Sequence, residues 1–318
     1  MSEILIDEKV LATCKGKVVV ITGAANGIGA ATVSRFFHSG AHVFFSDRDE
    51  KGGGALEKHL QESLAPGDGT CNFTRVDARD YQAQLALFDT AYKEHGCVDM
   101  AVYSAGINEM AATGSIVAAE NNLETVKEYP KLIMDLLDIN LNGCIYFARI
   151  ALAYLHAGSD NSQLPSKCLL TLISSAAAFQ EAPGMPGYAA SKVGILGLMR
   201  SIRSLAPKMC NTRVNVIAPW ATDTAMVEGH TRLFTENNIP LQSPDDVAVF
   251  TQYVTADPVI NGKTVYVGAA RGFDIEEGLD RTLPQWLGQV NADLWKRQAR
   301  AFAKGDWLRS DKIGNASH

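Results

Sequence analysis

Seven short strand-like stretches, most of them rich in apolar residues, punctuate this chain, spaced so that a helix fits between most neighbouring pairs. They fall at residues 17–21, 41–45, 73–76, 98–103, 169–173, 213–217 and 264–267. The continuous apolar run Leu169 to Ile173 among them marks a buried parallel strand. Helical patterns occupy residues 30–39, 81–95, 131–155, a stretch opening at Tyr188, and 245–253. Strand and helix in alternation predict an α/β fold, a single doubly wound parallel sheet of about seven strands with helices on both faces.

With 318 residues and 47% hydrophobic content, the chain has material for one large α/β domain or two ordinary ones. No repeat or low-complexity linker divides it, so one domain over 1–318 is expected, with a core of about 14–270 and a C-terminal extension, 271–318. The net charge of −6 argues against nucleic acid as a partner. No stretch reads as long and apolar enough to span a membrane. Residues 1–17 carry acidic side chains and lack the apolar centre of a secretory signal, so a cytoplasmic location is expected. Cys14, Cys71, Cys97, Cys144, Cys168 and Cys210 show no ligand spacing, so neither a disulfide scaffold nor a metal site is expected. Without a secretory signal, the glycosylation patterns at Asn72 and Asn315 read as coincidence.

The first strand enters Thr22-Gly23-Ala24-Ala25-Asn26-Gly27-Ile28-Gly29. Glycines between a strand and a helix let the backbone turn tightly and bring a dinucleotide pyrophosphate to the helix N-terminus. The second strand ends at Asp47, placed to bind the adenosine ribose hydroxyls and to repel the extra phosphate of NADP. Arg48 beside it offers the opposite grip. Asp77 after the third strand, and Ser104-Ala105-Gly106 after the fourth, are placed to line the rest of a cofactor path. Gly52-Gly53-Gly54 reads as a loose surface segment, and 107–130 as an insertion or long loop near the site. A polar Asn140 interrupts the apolar pattern of the long helix.

The run 169–173 leads into Ser174-Ser175, a Pro/Gly-rich turn, and Tyr188 with Lys192 four residues on. Of nine tyrosines only Tyr188 has a lysine at that spacing. On a helix, both side chains then share one face. A cation beside a phenol favours the phenolate and lowers its pKa towards the working range. Ser175 at its strand end can bond the same substrate oxygen. This is equipment for proton transfer at an alcohol or carbonyl.

Together, the glycine turn, Ser-Ala-Gly at a strand end, Asn140, Ser175, Tyr188-x-x-x-Lys192 and the stretch Pro219 to Thr224 resemble the short-chain dehydrogenase/reductase family over roughly residues 14–270. The resemblance implies a Rossmann-type sheet and a nicotinamide dinucleotide, NAD by Asp47 or NADP by Arg48. It implies Tyr188 as acid/base and Lys192 as the group that lowers its pKa and holds the nicotinamide ribose. Ser175 would orient the substrate oxygen, and Asn140 would hold a water linking Lys192 to solvent. Gly23, Asn26, Gly27, Ile28 and Gly29 would receive the pyrophosphate; Pro219, Thr222 and Thr224 would anchor the carboxamide. A homodimer or homotetramer is implied, paired through the helices carrying Asn140 and Tyr188. The chain departs from the family where Tyr103-Ser104 replaces Asn-Asn and Trp220 follows Pro219 in place of glycine. Loss of the amide removes a strand-stabilising hydrogen bond that Ser104 would replace in part. The tail, with Gly278-Leu279-Asp280-Arg281 and Gln285-Trp286-Leu287-Gly288, resembles fungal members serving secondary metabolism, of the hydroxyaverantin dehydrogenase type.

The expected activity is therefore NAD-dependent, reversible oxidation of a secondary alcohol to a ketone on a largely hydrophobic small molecule. Met226, Val227, Leu233 and Phe234 supply the apolar wall of a mobile loop. The alternatives are an NADPH-dependent ketone reductase and a non-redox protein that binds a ligand or templates a cyclisation on the same fold.

Overall fold

The computed structural model describes residues 3–109, 116, 122–158, 168–229 and 231–305. Among these, nine strands build one sheet: β1 Glu3–Ile4, β2 Val18–Thr22, β3 His42–Asp47, β4 Thr70–Arg75, β5 Met100–Tyr103, β6 Cys168–Ile173, β7 Thr212–Pro219, β8 Thr264–Gly268 and β9 Arg271–Asp274. The helices are α1 Glu8–Leu11, α2 Gly27–His38, α3 Glu50–Glu62, α4 Tyr81–His95, α5 Lys131–Leu137, α6 Gly143–Ala157, α7 Pro186–Ile202, α8 Ala206–Met209, α9 Thr231–Glu236, α10 Pro244–Ala256, α11 Ile275–Leu287 and α12 Gln289–Ala303.

The strand order is β1-β9-β8-β7-β6-β5-β2-β3-β4. Strands β2 to β8 pair in parallel, whereas β9 runs antiparallel to both β8 and β1. The expected parallel sheet is present, but the count of about seven strands is too low by the two at one edge. Neither carries an apolar run: β1 is two residues long and β9 reads Arg-Gly-Phe-Asp.

The central strands β2, β5, β6 and β7 are buried throughout and mostly apolar because both faces are covered. Val18 and Val20 point into one core with Phe88, Phe147 and Leu196 of α4, α6 and α7. Val19 and Ile21 point into the other with Val33, Phe36 and Val254 of α2 and α10. Two further expectations are corrected. Helix α3 runs straight through Gly52-Gly53-Gly54, and a Cβ at Gly53 would lie 2.0 Å from Phe73 Cε2, so close packing explains that glycine. The stretch Lys131–Ala157 is long and apolar enough by composition to cross a membrane, contrary to the sequence reading. Many of its apolar side chains, Phe147, Ile150 and Leu155 among them, are buried in the core, as in a core helix.

Chain order reverses between β2 and β5: β3 and β4 lie to one side, β6 to β8 to the other. At such a switch point the loops leaving the carboxyl ends of adjacent strands diverge and open a crevice, which is where ligands of this architecture bind.

Candidate functional site

That crevice is a cleft of about 760 Å³ lined from the ends of β2, β3, β5, β6 and β7. At its floor the glycine turn lies flat against the end of β5. A Cβ at Gly23 would fall 2.3 Å from Ala105 Cα, and one at Gly29 only 2.1 Å from Gly23 O. Gly23 and Gly27 also take positive φ, +70° and +56°, which glycine adopts without strain. The N-cap residue of α2, Asn26, makes no side-chain bond to the first turn. Its backbone N–H groups therefore suit an anion. Gly23, Asn26, Gly27, Ile28 and Gly29 all line the cleft, and Thr224 Cγ2 lies 3.1 Å from where a Gly27 Cβ would be.

Asp47 also lines it, its carboxylate fixed by the N–H groups of Ala25 and Asp49, each at 3.0 Å. Asp49, not Asp47, caps α3. Arg48 lies on the same wall. Asp77 is paired with Arg79 at 2.6 Å, and the guanidinium holds its carboxyl below the ordinary carboxylate range. These residues fit a dinucleotide: a glycine cradle at one end and a positioned carboxylate at the other.

Toward the centre, the helix carrying Asn140 contains one π turn, Asp138–Asn142. Asn140 is fully buried: Oδ1 accepts from Ile107 N–H at 2.9 Å, and Nδ2 donates to Ile107 O at 2.9 Å and Ser191 Oγ at 3.1 Å. Both amide hydrogens are engaged, which leaves one Oδ1 lone pair for a water. A Cβ at Gly106 would lie 3.4 Å from Lys192 Nζ and 3.5 Å from Asn140 Oδ1, so glycine keeps the space between them open.

Ser175, Tyr188 and Lys192 converge on the opposite wall. Pro186 starts α7, a position where its missing N–H costs nothing, and the helix carries Tyr188 and Lys192 on one face. Lys192 Nζ sits 5.4 Å from the Tyr188 ring centroid and donates to Ile173 O at 3.2 Å. Burial pulls its ammonium down to about 8. Burial also pushes the Tyr188 phenol above its ordinary value, while the Ser175 hydroxyl bonded to it works the other way. Burial outweighs the Ser175 bond, so in the protein alone the phenol stays above its ordinary value despite the lysine expected to depress it.

The loop after β7 brings Pro219, Trp220, Thr222 and Thr224 to the cleft. Its shape depends on a residue the sequence reading passed over. Gln242, 5% exposed, donates from Nε2 to Val267 O, Thr222 Oγ1 and Trp220 O at 3.0, 3.2 and 3.3 Å. Met185, Met226, Val227, Leu233, Phe234 and Ile239 form an apolar mouth. Glu109 was also missed; it lies buried behind the Tyr188 helix. The middle of the expected 107–130 loop, residues 110–115 and 117–121, lies outside the described residues.

The family model for short chain dehydrogenase matches residues 17–232. The chain is 31% identical over 281 residues to the short-chain dehydrogenase/reductase ascJ of Acremonium egyptiacum, covering 88% of this chain and 87% of that one. It is 25% identical over 304 residues to 5'-hydroxyaverantin dehydrogenase of Dothistroma septosporum, covering 92% and 96%. Among solved structures, gox2181 matches with a TM-score of 0.68 at 21% identity, over 81% of this chain and 97% of that chain, a likeness of fold.

Proposed function

The chain belongs to the short-chain dehydrogenase family, an oxidoreductase of CH–OH groups, and from that premise we propose that it oxidises a secondary alcohol with NAD. The observation that carries this reading is the Tyr188 phenol, hydrogen-bonded to Ser175 and faced by the Lys192 ammonium, in a cleft whose far end holds Asp47. When bound, NAD supplies the acceptor for the hydride of the carbinol carbon and a positive charge at its nicotinamide ring. Ser175 Oγ holds the substrate oxygen, and the Tyr188 phenolate takes its hydroxyl proton at Oη. The Lys192 ammonium stabilises that phenolate electrostatically. Asn140 keeps Ile107, and with it the Gly106 edge, in place, and its remaining lone pair serves a water beside Lys192. Gly23, Asn26, Gly27, Ile28 and Gly29 hold the pyrophosphate, Asp77, Ser104, Ala105 and Gly106 the adenosine-to-ribose path, and Pro219, Thr222 and Thr224 the carboxamide.

The apolar mouth supports a largely hydrophobic substrate, and the fungal relatives support a place in secondary metabolism. We take the whole chain as one catalytic domain, cytoplasmic, with no disulfide linking its six cysteines. A homodimer or homotetramer is supported by Ile145 and Val193, exposed on α6 and α7. Arg48 on the cleft wall favours a second reading, an NADPH-dependent ketone reductase.

Calorimetric titration with NAD, NADH, NADP and NADPH separates the two. Tighter binding of the NAD pair is expected; tighter binding of the NADP pair makes Arg48 the selector. Oxidation of 2-tetralol, 2-decalol or 1-phenylethanol with the preferred cofactor then tests the chemistry. Tyr188→Phe should abolish turnover with cofactor affinity nearly intact, and retained turnover removes Tyr188 from the mechanism.

A further inference from the structure

Three consecutive residues after β5 each grip a different wall of the cleft. Ile107 is held by the Asn140 side chain through both its N–H and its C=O, at 2.9 Å each. Asn108 Nδ2 donates to Met226 O at 2.9 Å, on the apolar mouth. Glu109 Oε1 accepts from the N–H groups of Gly187 at 2.6 Å and Tyr188 at 3.1 Å. Glu109 is 1% exposed, and its Oε2 has no hydrogen-bond partner among the described residues. We infer that Glu109 is a positioning residue for Tyr188, fixing the first turn of α7 to the end of β5 so that the phenol meets the substrate oxygen at the right place.

The start of a helix leaves N–H groups without intrahelical partners, and a nearby Ser, Thr, Asp or Asn ordinarily takes them. Here the N-cap residue, Met185, makes no such bond. The acceptor comes instead from 79 residues away and bonds the amide of Tyr188 itself. A local cap would fix only the helix end. This one fixes the helix end relative to the strand whose following residues line the cofactor path. A carboxylate at a helix N-terminus also meets the positive end of the helix dipole. Oε2 lies 3.0 Å from where a Cβ on Gly187 would be, so glycine before Tyr188 leaves room for the carboxylate beside the two amides. Through Asn108 the same strap reaches Met226, so that the apolar mouth and the proton-transferring side chain share one anchor.

The inference rests on Tyr188 being the acid/base, so Tyr188→Phe is the control that judges that reading by itself. Three variants separate reach from charge: Glu109→Gln keeps the reach, Glu109→Asp keeps the charge but falls short, and Glu109→Leu removes the acceptor. The measurements are kcat, KM and NAD dissociation constant with whichever of 2-tetralol, 2-decalol and 1-phenylethanol the wild type oxidises fastest. Amide hydrogen exchange at Gly187 and Tyr188 is read in parallel and needs no turnover. For Glu109→Leu, kcat should fall about 10- to 100-fold, the size expected of a sub-ångström to 1 Å misplacement, with KM and NAD affinity changed less than about twofold. Exchange at the two amides should rise. Glu109→Gln should recover most of kcat, and Glu109→Asp should lie close to Leu; this pair decides the matter even if the Leu variant does not fold. Unchanged amide exchange in Leu or Asp, unchanged kcat with raised exchange, or Gln as impaired as Asp would each overturn the positioning role. Retained turnover in Tyr188→Phe would instead overturn the acid/base reading while leaving the exchange result to judge the strap.

Discussion

Tyr103 Oη donates to Ile139 O at 2.5 Å, across a fully buried contact between β5 and the helix that carries Asn140. In a regular α-helix that carbonyl would accept from Gly143 N–H, but here Gly143 N–H bonds Asp138 O, one residue further back, and a π turn results. The phenol thus serves a carbonyl that the π turn has released from its usual partner. Ser104, expected to make up part of the bonding lost with the family's asparagine, contributes its backbone N–H to Thr22 O at 3.0 Å. The side-chain bond comes from Tyr103. Tyr103→Phe should lower stability by about 1–3 kcal/mol, read by urea unfolding, because it strands a buried carbonyl. Gly143→Ala should be at least as harmful, since its Cβ would fall 2.7 Å from both Tyr103 Oη and Ala78 O.

Lys192 should cost the protein stability in return for function. Burial lowers its pKa from 10.5 to about 8, so the folded state holds the proton less tightly than the unfolded chain. Below about pH 8 both states are charged and the full burial cost applies; above 10.5 both are neutral and it vanishes. Lys192→Met should therefore be more stable than wild type at pH 7, by about 3 kcal/mol at most, and lose that advantage between pH 8 and 10.5. Thermal unfolding of both proteins across pH 7–10 checks the sign, and turnover should be lost at every pH.

Glu276 ties the C-terminal extension to the Tyr188 helix. It is 6% exposed and accepts from Arg200 Nη2 at 2.8 Å, Arg203 Nη1 at 2.7 Å and Thr264 Oγ1 at 2.9 Å. Burial alone would raise its pKa, but the hydrogen bonds and charges of Arg200, with Arg203, bring it below the ordinary 4.5. Its stabilisation is thus present above pH 4.5 and lost as pH falls through that value towards the lower folded one. Glu276→Gln should destabilise by about 1–3 kcal/mol at pH 7, reduced from the fully buried case because both arginines are partly solvated. It should also flatten the acid limb of stability below pH 4.5.

The hairpin between β8 and β9 turns on Ala269 and Ala270, at φ +51° and +56°. Gly268 and Arg271 pair across it, so the loop has two residues, both in the left-handed region. That is the geometry of a type I′ turn, which favours Asn-Gly and strains alanine. The double substitution Ala269→Asn/Ala270→Gly should raise stability by about 1–2 kcal/mol, read as a higher Tm, with kcat unchanged.

What could be read from the chain alone followed from burial pattern and short spacing. Strands covered on both faces are rich in apolar residues, so β2, β3, β5 and β6 announced themselves by their runs and β4, β7 and β8 by shorter ones, whereas β1 and β9 pair at an edge and needed no such run. Tyr188 and Lys192 share a helix face by spacing, and the glycine turn declared itself by its place between strand and helix. The triple glycine misled because its reason, Phe73 against Gly53, lies on another strand.

The amino-acid sequence by itself determined the parallel sheet and singled out the residues proposed for proton transfer and cofactor binding, because each of these depends on residues close in the chain or on apolar periodicity. The tertiary structure alone decided what holds those residues still. Glu109 caps a helix 78 residues away, Gln242 pins a loop from 20 residues downstream, and Tyr103 reaches 36 residues ahead to a released carbonyl. Such contacts leave no local pattern, since a buried polar side chain is satisfied by whatever the fold brings to it, and only the folded chain says what that is.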